Sequence, residues 1–337
     1  MDAPDLSAVL YGSPAVRRAV TVPTVAATAG ALASTAWIWG PAALGLDALT
    51  APRRLPRLRS LSMATAWSAL ETVGVGLSVA QWAAGLSKAP GPSYALQRWW
   101  VRRLVDALRL LGNLQIEVEG DEVLAPGPTV MLARHASIAD SLLPAWLLAR
   151  RGMHPRYVLK RELLVDPCLD IVGGRVPNHF VVRNGDDTDA ELAALRALST
   201  GMSDGDAAVI FPEGTVASDE RRARALASIA ARDIERADRV RDLAVLLPPR
   251  HAGARALLEG SPTSDVLLVT HRGFEQLGRL ADVPARLPLD RPVQVNITRV
   301  ARAEVPTGDA FVPWLDACWL QLDAWVTEPA TRPGEPS

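Results

Sequence analysis

The feature that most constrains the fold is an alternation of short β-type runs and longer helical patterns that begins after Gly112. The β-type runs lie at 114–118, 129–133, 156–159, 179–183, 207–211, 244–247, 265–270 and 292–300. Helical patterns lie between most of them, including 138–151, 187–200, 219–242 and 309–326. Such alternation predicts an α/β fold with a mixed, largely parallel sheet flanked by helices.

The first 90 or so residues differ from the rest in their charge. No residue is charged in 19–46, and Glu71 is the one charged residue in 60–87. Both segments are long enough to cross a bilayer, which takes about 20 mostly apolar residues. They predict an N-terminal membrane-associated helical hairpin ahead of the α/β domain. The alternatives are Ala-rich helices buried in protein and, less favoured because the apolar run begins late, a cleaved signal peptide.

The charges that flank the second segment argue against two full crossings. The chain after it is basic, and so is the loop before it, which holds Arg53, Arg54, Arg57 and Arg59. Basic loops tend to stay on the cytoplasmic side, and one spanning helix cannot have both ends there. We therefore predict that at least 60–87 dips into one leaflet or lies in the interface, on the cytoplasmic face. A carboxylate at the bilayer centre is costly, so Glu71 favours the same topology.

Residues 94–111 have the pattern of an amphipathic helix. Its apolar stripe comprises Leu96, Trp100, Leu104, Leu108 and Leu111. Arginines occupy its other faces, which fits either an anionic membrane surface or a surface helix of the domain. We predict three regions: membrane-associated helices in 1–92, the catalytic domain in 93–328 and a flexible tail in 329–337.

Charge and cysteine content limit the classes of function. The net charge of −1 gives no indication of a nucleic-acid partner. Only two cysteines are present, Cys168 and Cys318, so a framework of disulfides is excluded and a reducing compartment is the simpler interpretation. Four histidines make no metal-ligand pattern with one another: His154, His179, His251 and His271. We therefore predict no metal site.

The sequence RHASIAD, residues 134–140, is the first candidate site. It follows the run 129–133, which places His135 at the exit of a strand, where open α/β sheets bind their ligands. The spacing to Asp140 allows the carboxylate to reach the imidazole, fix its tautomer and stabilise the imidazolium as it forms. Taken alone, a loop histidine and an acid at a helix N-terminus also explain these two residues.

The sequence IFPEGT, residues 210–215, is the second candidate site. It follows another buried run, and Gly214 allows a tight turn there. Glu213 and Thr215 place a carboxylate and a hydroxyl at the strand exit, and nearby backbone N–H groups can bind an anion. A plain strand-to-helix turn explains the glycine and the threonine but not the whole string.

HASIAD followed by FPEGT resembles the glycerolipid acyltransferase family, which includes the 1-acylglycerol-3-phosphate acyltransferases. The family's further motifs have counterparts in Gly173-Gly174-Arg175 with Phe180–Arg183, and in Ala244–Pro248. The resemblance covers roughly 112–275. KRELL (160–164) and LPPR (247–250) are most similar to the branch that includes the lysocardiolipin-type enzymes.

The resemblance implies the fold of that family and a reaction. His135 would remove the proton from an acceptor hydroxyl, whose oxygen attacks an acyl thioester, while Asp140 orients the ring. The motif contains no Ser or Cys nucleophile, so the acyl group would move directly, without an acyl-enzyme. No cofactor is expected, and acyl-CoA or acyl carrier protein would serve as the co-substrate.

The resemblance also implies which residues bind the acceptor. Arg183 would bind its phosphate, aided by Lys160 or Arg250, because a guanidinium suits phosphate. Glu213 and Thr215 would position the glycerol backbone. The whole predicted set is Lys160, Arg183, Phe211, Pro212, Glu213, Gly214, Thr215 and Arg250.

The expected acceptor is a lysophospholipid, most simply 1-acyl-glycerol-3-phosphate, which would give phosphatidic acid at the bilayer. Two departures from the family pattern bear on this acceptor: Arg134 stands where Asn is usual, and Val216 stands where Arg is frequent. Arg221 or Arg222 could replace the arginine that is missing at Val216. The charged helix 219–242 either exposes its charges to solvent or binds anionic head groups. The alternatives are another lipid acceptor, or a catalytically degenerate membrane lipid-binding protein.

Overall fold

A seven-stranded sheet forms the centre of the computed structural model, which describes residues 11–137, 139–181, 188–277 and 283–328. The strands are β1 (Ile116–Glu119), β2 (Thr129–Ala133), β3 (His154–Lys160), β4 (His179–Val181), β5 (Asp206–Ile210), β6 (Asp265–Arg272) and β7 (Val293–Val300). Their order is β1-β7-β6-β2-β5-β3-β4, and every neighbouring pair is parallel except β6 and β7. The predicted mixed, largely parallel sheet is confirmed.

Helices precede the sheet and cover both of its faces. They are α1 (Pro14–Ser34), α2 (Ala36–Thr50), α3 (Pro56–Ala83), α4 (Pro90–Gly112), α5 (Leu142–Arg150), α6 (Pro167–Gly173), α7 (Thr188–Ser199), α8 (Asp219–Ala230), α9 (Ile234–Val240), α10 (His251–Gly260), α11 (Val283–Arg286) and α12 (Phe311–Thr327). The predicted helix 219–242 is two helices, because Asp233 accepts the N–H of Arg236 and caps α9. The predicted tail 329–337 lies outside the described residues.

The core has two layers because alternate residues of a strand point to opposite faces. On β2, Met131 belongs to the layer beneath α4 and α5, whereas Val130 and Leu132 belong to the layer beneath α7, α10 and α12. β2, β5 and most of β6 are buried on both faces, so they read as continuous apolar runs rather than as alternating ones.

The run 244–247 is not a strand, and that prediction is wrong. The N–H groups of residues 244–246 donate to the carboxylate of Asp323 on α12 at 2.7–2.8 Å. The N–H of Leu247 donates to Glu213 at 3.0 Å. Two carboxylates therefore satisfy the donors that a neighbouring strand would otherwise satisfy. Leu246 and Leu247 of this loop are buried, so its sequence is as apolar as that of a buried strand.

The N-terminal helices pack directly on the α/β domain. α3 lies against α4 and α6, and α1 lies against α3 and α6. Asp170 on α6 accepts hydrogen bonds from both Arg17, at 2.8 and 3.0 Å, and Arg18, at 3.1 Å. Because Arg17 and Asp170 are both buried, this ion pair fixes the start of α1 on the domain.

Glu71 on α3 faces the domain, not the outside. One carboxylate oxygen accepts the Trp100 indole N–H at 2.7 Å, and the other accepts the Cys168 N–H at 3.0 Å. Burial, and then the neighbouring Asp166, raise the pKa of Glu71 to about 9. The argument that placed Glu71 in the membrane interface is therefore wrong, because the protein itself buries this side chain.

The predicted membrane helices carry both buried and exposed apolar residues. No described helix is by itself long and apolar enough to cross a bilayer, but α1 and α2, bent by 68°, satisfy length and composition together. Large apolar side chains on α2 and α3 are nonetheless exposed, among them Trp37 at 76%, Leu49 at 85% and Trp82 at 66%. Membrane association stays a prediction.

Three arginines, one in the loop before α3 and two in the first turn of α3, bind protein groups. Arg54 donates to Asp290 at 2.6 Å and to the Pro288 carbonyl at 3.0 Å. Arg57 donates to Asp47, and Arg59 donates to the carbonyl of Leu111. These arginines tie the hairpin to the rest of the chain, so their charge is a weaker indication of topology than their number suggests.

The predicted amphipathic helix is α4, which lies between α3 and α5. Leu96 and Leu104 of its apolar stripe are buried, and Arg102 donates to the Ala149 carbonyl of α5 at 2.7 Å. Protein covers the stripe, which favours a surface helix of the domain over a helix on the membrane surface.

Candidate active site

The loop after β2 folds back on itself around one carboxylate. Nδ1 of His135 lies 2.8 Å from Oδ1 of Asp140. Oδ2 of Asp140 accepts the backbone N–H groups of Ala136 at 2.5 Å and Ser137 at 2.7 Å. The spacing between the two residues therefore produces the contact that the sequence predicts. Because Asp140 accepts at Nδ1, that nitrogen carries a proton and Nε2 is left to act as a base.

The electrostatics keep Asp140 ionised. Burial by itself would raise the pKa of Asp140, but the hydrogen bonds from His135 and His271 outweigh burial, so this pKa lies well below its usual range. A carboxylate that stays charged stabilises the imidazolium that forms when His135 accepts a proton.

Glu213 joins the second motif to the first. It is 2% exposed, and its Oε1 accepts the N–H of His135 at 2.9 Å while its Oε2 accepts the N–H of Leu247 at 3.0 Å. The Ala217 N–H donates to the carbonyl of His135 at 2.9 Å. The loop after β5 thus holds both backbone groups of His135. Both Glu213 oxygens accept from the backbone, which makes it a positioning residue, not the predicted glycerol contact.

Burial brings the titration of Glu213 close to neutral pH. Burial raises the pKa of Glu213 to about 7, although the N–H donors of His135 and Leu247 oppose the rise. Its carboxylate accepts two N–H groups only when it is deprotonated, so its hold on His135 weakens as the pH falls through 7.

The other residues of FPEGT shape the wall beside the imidazole. The ring of Phe211 lies 4.8 Å from that of His135, centroid to centroid, at 40°. Gly214 has a φ of +67°, which favours glycine, and a Cβ built there would lie 3.2 Å from Nε of Arg250. The carbonyl of Pro212 accepts the Arg250 N–H at 2.8 Å. Arg250 therefore lies against the turn, as the predicted site requires, and Thr215 follows half-buried in the same turn.

The other residues that the sequence predicts for the site are not brought next to His135 by any contact among the described residues. Lys160 ends β3, which is separated from β2 by β5, so it lies farther along the same edge of the sheet. Arg183 lies outside the described residues. Arg175 donates to the Ser78 carbonyl of α3, so the Gly-Gly-Arg motif is at the junction with the N-terminal helices. Arg221 donates to the Val216 carbonyl, and Arg222 pairs with Asp219.

Two residues of the site, His271 and Glu275, belong to no sequence motif, and Arg134 has a role that its motif does not predict. His271 ends β6, beside β2, and its Nε2 lies 3.4 Å from Oδ2 of Asp140. The guanidinium of Arg134 is buried and donates to the carbonyl of His271 and to the carboxylate of Glu275. One signal for His271 was present in the sequence, because this residue follows the apolar run 265–270 just as His135 follows the run 129–133.

The arrangement suits proton transfer more than covalent catalysis by a thiol. Burial raises the pKa of Cys318 to about 11, and burial also raises the pKa of Cys168, so neither thiol ionises readily. Across the described ranges, no group of three or more His, Cys, Asp or Glu side chains has the geometry of a metal site. A histidine held by an ionised carboxylate at the carboxyl edge of an α/β sheet defines a general-base site.

The comparison with protein families agrees with this class. Residues 115–250, which contain both motifs, match the family described as Acyltransferase. The match covers about 40% of the chain, and the rest of the chain lies outside it. No curated protein matches the chain.

One solved structure is similar over most of the chain. It is the crystal structure of the 1-acyl-sn-glycerophosphate (LPA) acyltransferase PlsC from Thermotoga maritima. The identity is 13%, the TM-score is 0.44, and the match covers 93% of this chain and 100% of that one.

Proposed function

We propose that the chain is an O-acyltransferase that moves a fatty acyl group from a thioester to the hydroxyl of a lysophospholipid. The observation that carries the proposal is the 2.8 Å contact between His135 and Asp140 inside an acyltransferase-family segment. No described residue forms a hydrogen bond with Nε2 of His135, so this nitrogen is available to an acceptor hydroxyl.

The reaction follows from that geometry. Nε2 of His135 takes the hydroxyl proton as the acceptor oxygen attacks the thioester carbonyl, and Asp140 stabilises the resulting imidazolium. The tetrahedral intermediate then expels the thiolate, which takes the proton from His135. The products are an ester and a free thiol, and His135 is neutral again. General-base catalysis of this kind contributes about 10²–10⁴-fold to the rate.

A phosphorylated acceptor fits the charges beside this site. Arg250 precedes α10 directly and lies against the Gly214 turn, so its guanidinium and the start of the helix are beside the turn whose Glu213 holds His135. The proposed acceptor is 1-acyl-glycerol-3-phosphate, with Arg250 and Arg183 on its phosphate and Lys160 as a further cation. The donor is acyl-CoA or acyl carrier protein.

The place of the reaction is the cytoplasmic face of a membrane. The exposed Trp37, Leu49 and Trp82 are the side chains that would enter the interface. Both the acceptor and the product of the proposed reaction partition into a bilayer, so an enzyme docked there meets them directly.

The activity test uses the full chain in detergent. Labelled acyl-CoA, or the matching acyl carrier protein, is supplied with lysophosphatidate, and phosphatidate is the expected product. His135→Ala, assayed beside it, is expected to give none. Parallel reactions with lysophosphatidylglycerol and an ornithine lipid test the acceptor class. If no acceptor gives an ester with either donor, the proposal fails and a lipid-binding protein is favoured.

The phosphate contact is tested with a matched pair of variants on one segment. Arg250→Ala is expected to raise KM for lysophosphatidate by about tenfold, the value of one charge-assisted hydrogen bond, with little change in kcat. The control is Arg255→Ala, because Arg255 lies in the middle of α10 and donates to the Gly308 carbonyl. Equal KM values for both variants and the wild type would remove Arg250 from the acceptor site.

A further inference from the structure

His271 is a buried ionisable group beside the candidate site, and the proposed reaction gives it no role. It is 1% exposed, at the end of β6, and its ring meets that of Phe274 edge-on with centroids 5.2 Å apart. A buried polar ring needs a hydrogen-bond partner, because an unsatisfied donor or acceptor costs free energy.

The surroundings of Nε2 determine which tautomer His271 adopts. Nε2 lies 3.3 Å from the carbonyl oxygen of Arg134 and 3.4 Å from Oδ2 of Asp140, and both of these atoms only accept. Nε2 must therefore carry a proton. Nδ1 is buried and has no hydrogen-bond partner among the described residues. A second proton there would be a buried unsatisfied donor, so the neutral Nε2–H tautomer fits the site.

We infer that His271 is a positioning residue for the proposed reaction. As a neutral donor it joins the N–H groups of Ala136 and Ser137 on Oδ2 of Asp140, which leaves Oδ1 for His135. The carboxylate cannot rotate without losing these donors. Its charge is also partly neutralised, which limits how strongly it favours the imidazolium form of His135. This inference rests on the proposed function and deepens it.

Arg134 holds His271 in this place. Its guanidinium donates to the His271 carbonyl and to Glu275, and its backbone N–H donates to the Val269 carbonyl at 2.9 Å. The loop after β2 and the end of β6 are thereby joined at three points. Among the described residues, the charged groups that face His271 are Asp140 and Arg134 on the β2 side and Glu275 on its own loop.

The test compares two substitutions that differ only in the donor. His271→Gln keeps an N–H near the position of Nε2 and is neutral at every pH. His271→Leu removes the donor but fills most of the space. We expect His271→Leu to lower kcat by about 10- to 100-fold, the value of one hydrogen bond to a charged group, with KM unchanged. His271→Gln is expected to stay within about threefold of the wild type.

The pH profile separates positioning from packing. In His271→Leu the Asp140 charge acts undiminished on His135, so the acidic limb of kcat/KM moves to higher pH, whereas in His271→Gln it stays in place. Glu213, with its pKa raised to about 7, titrates in every variant, so the difference between profiles reports His271. The control is His154→Gln. His154 begins β3, at the end of the sheet away from the candidate site, and its ring stacks on that of Tyr94.

A measurement that needs no turnover keeps this inference distinct from the proposed function. The proton on Nδ1 of His135 gives a downfield NMR resonance, expected to move in His271→Leu and not in His271→Gln. If the wild type makes no ester, the proposed function fails and the resonance still decides the role of His271. If the Gln and Leu variants match each other in resonance, pH profile and kcat, the inference is overturned, whatever their melting temperatures.

Discussion

Two regions of this protein bury a carboxylate and leave it in opposite charge states. At the active site, Asp140 accepts from His135, Ala136, Ser137 and His271, and its pKa is lowered. At the junction with the N-terminal helices, Glu71 accepts the N–H groups of Trp100 and Cys168, and its pKa is raised to about 9.

The difference lies in the neighbours of each carboxylate, because both are almost fully buried. Backbone and imidazole N–H donors surround Asp140, whereas Glu71 lies beside Asp166, whose pKa burial also raises. Two acids that share one buried site cannot both ionise cheaply. The candidate active site thus maintains a charge, which the proposed reaction requires, and the junction holds a protonated carboxyl between two layers of helices.

The largest expected effect comes from removing the charge at the active site. Asp140→Asn replaces the acceptor of His135 Nδ1–H with an amide, which no longer stabilises the imidazolium or fixes the tautomer. We expect kcat to fall by about 10³–10⁴-fold. Steady-state kinetics measure this, with the near-UV circular dichroism spectrum as a check on folding. A loss below tenfold in a folded variant would remove Asp140 from the mechanism.

A smaller loss of activity is expected when the Glu213 carboxylate, which accepts the backbone N–H of His135, is weakened as an acceptor. Glu213→Gln leaves one carbonyl oxygen for two N–H donors and turns an amide N–H₂ toward the other. Because His135 is then held less firmly, kcat should fall by about 10- to 100-fold. Asp323→Asn serves as the control, since Asp323 accepts from three N–H groups of the same loop but not from His135. Equal losses in the two variants would assign the effect to loop folding alone.

The junction should respond to pH, not to loss of charge. The folded pKa of Glu71 is about 9, above its unfolded value of 4.5, so its stabilising proton is fully present at low pH and is lost as the pH rises through 9. Above pH 7 Glu213 no longer contributes to this slope. We expect the melting temperature of the wild type to fall between pH 7 and 9, and Glu71→Gln to flatten that fall.

The activity of Glu71→Gln also tests the difference between Glu71 and Asp140. A glutamine resembles the protonated form of Glu71, so kcat of Glu71→Gln at pH 7 should stay within about threefold of the wild type, a change worth less than one hydrogen bond. If the melting temperature of the wild type is constant from pH 7 to 9, the carboxyl is not protonated in the folded protein and the comparison with Asp140 fails.

The smallest expected effect concerns packing at the junction. A Cβ on Gly74 would lie 2.7 Å from Sγ of the buried Cys168, whereas a Cβ on Gly76 would have no neighbour within 4 Å. Gly76→Ala should stabilise the protein by up to about 1 kcal/mol through helix propensity. Gly74→Ala should destabilise it by about 1 kcal/mol or more through overpacking. Thermal unfolding measures both, and equal shifts would show that α3 is not closely packed on α6.

Local patterns made part of this molecule predictable. The strands after Gly112 are short apolar runs, and the contact between His135 and Asp140 depends on residues close in sequence. The strand prediction for 244–247 failed because its buried residues, Leu246 and Leu247, lie in a loop whose N–H donors bind distant carboxylates. The composition of this run is that of a strand, but its N–H groups donate to carboxylates instead of to a neighbouring strand.

The rest of the site depends on strand order, which no short pattern encodes. His271 reaches Asp140 only because β6 lies beside β2. Glu213 was assigned to the substrate because a carboxylate in a turn suggests a ligand, but its oxygens bind backbone N–H groups. The sequence suggests that Glu71 keeps 60–87 away from the bilayer centre, because the partners that bury it, Trp100 and Cys168, belong to later helices.

The burial of Glu71 has a practical consequence for anyone trimming this chain to obtain a soluble fragment. A cut after residue 92 would leave the indole of Trp100 and the N–H of Cys168 without their acceptor and would open a previously dry surface to water. We expect such a fragment to precipitate. Replacing the exposed tryptophans while keeping α3 intact is therefore the better route to a crystallisable protein.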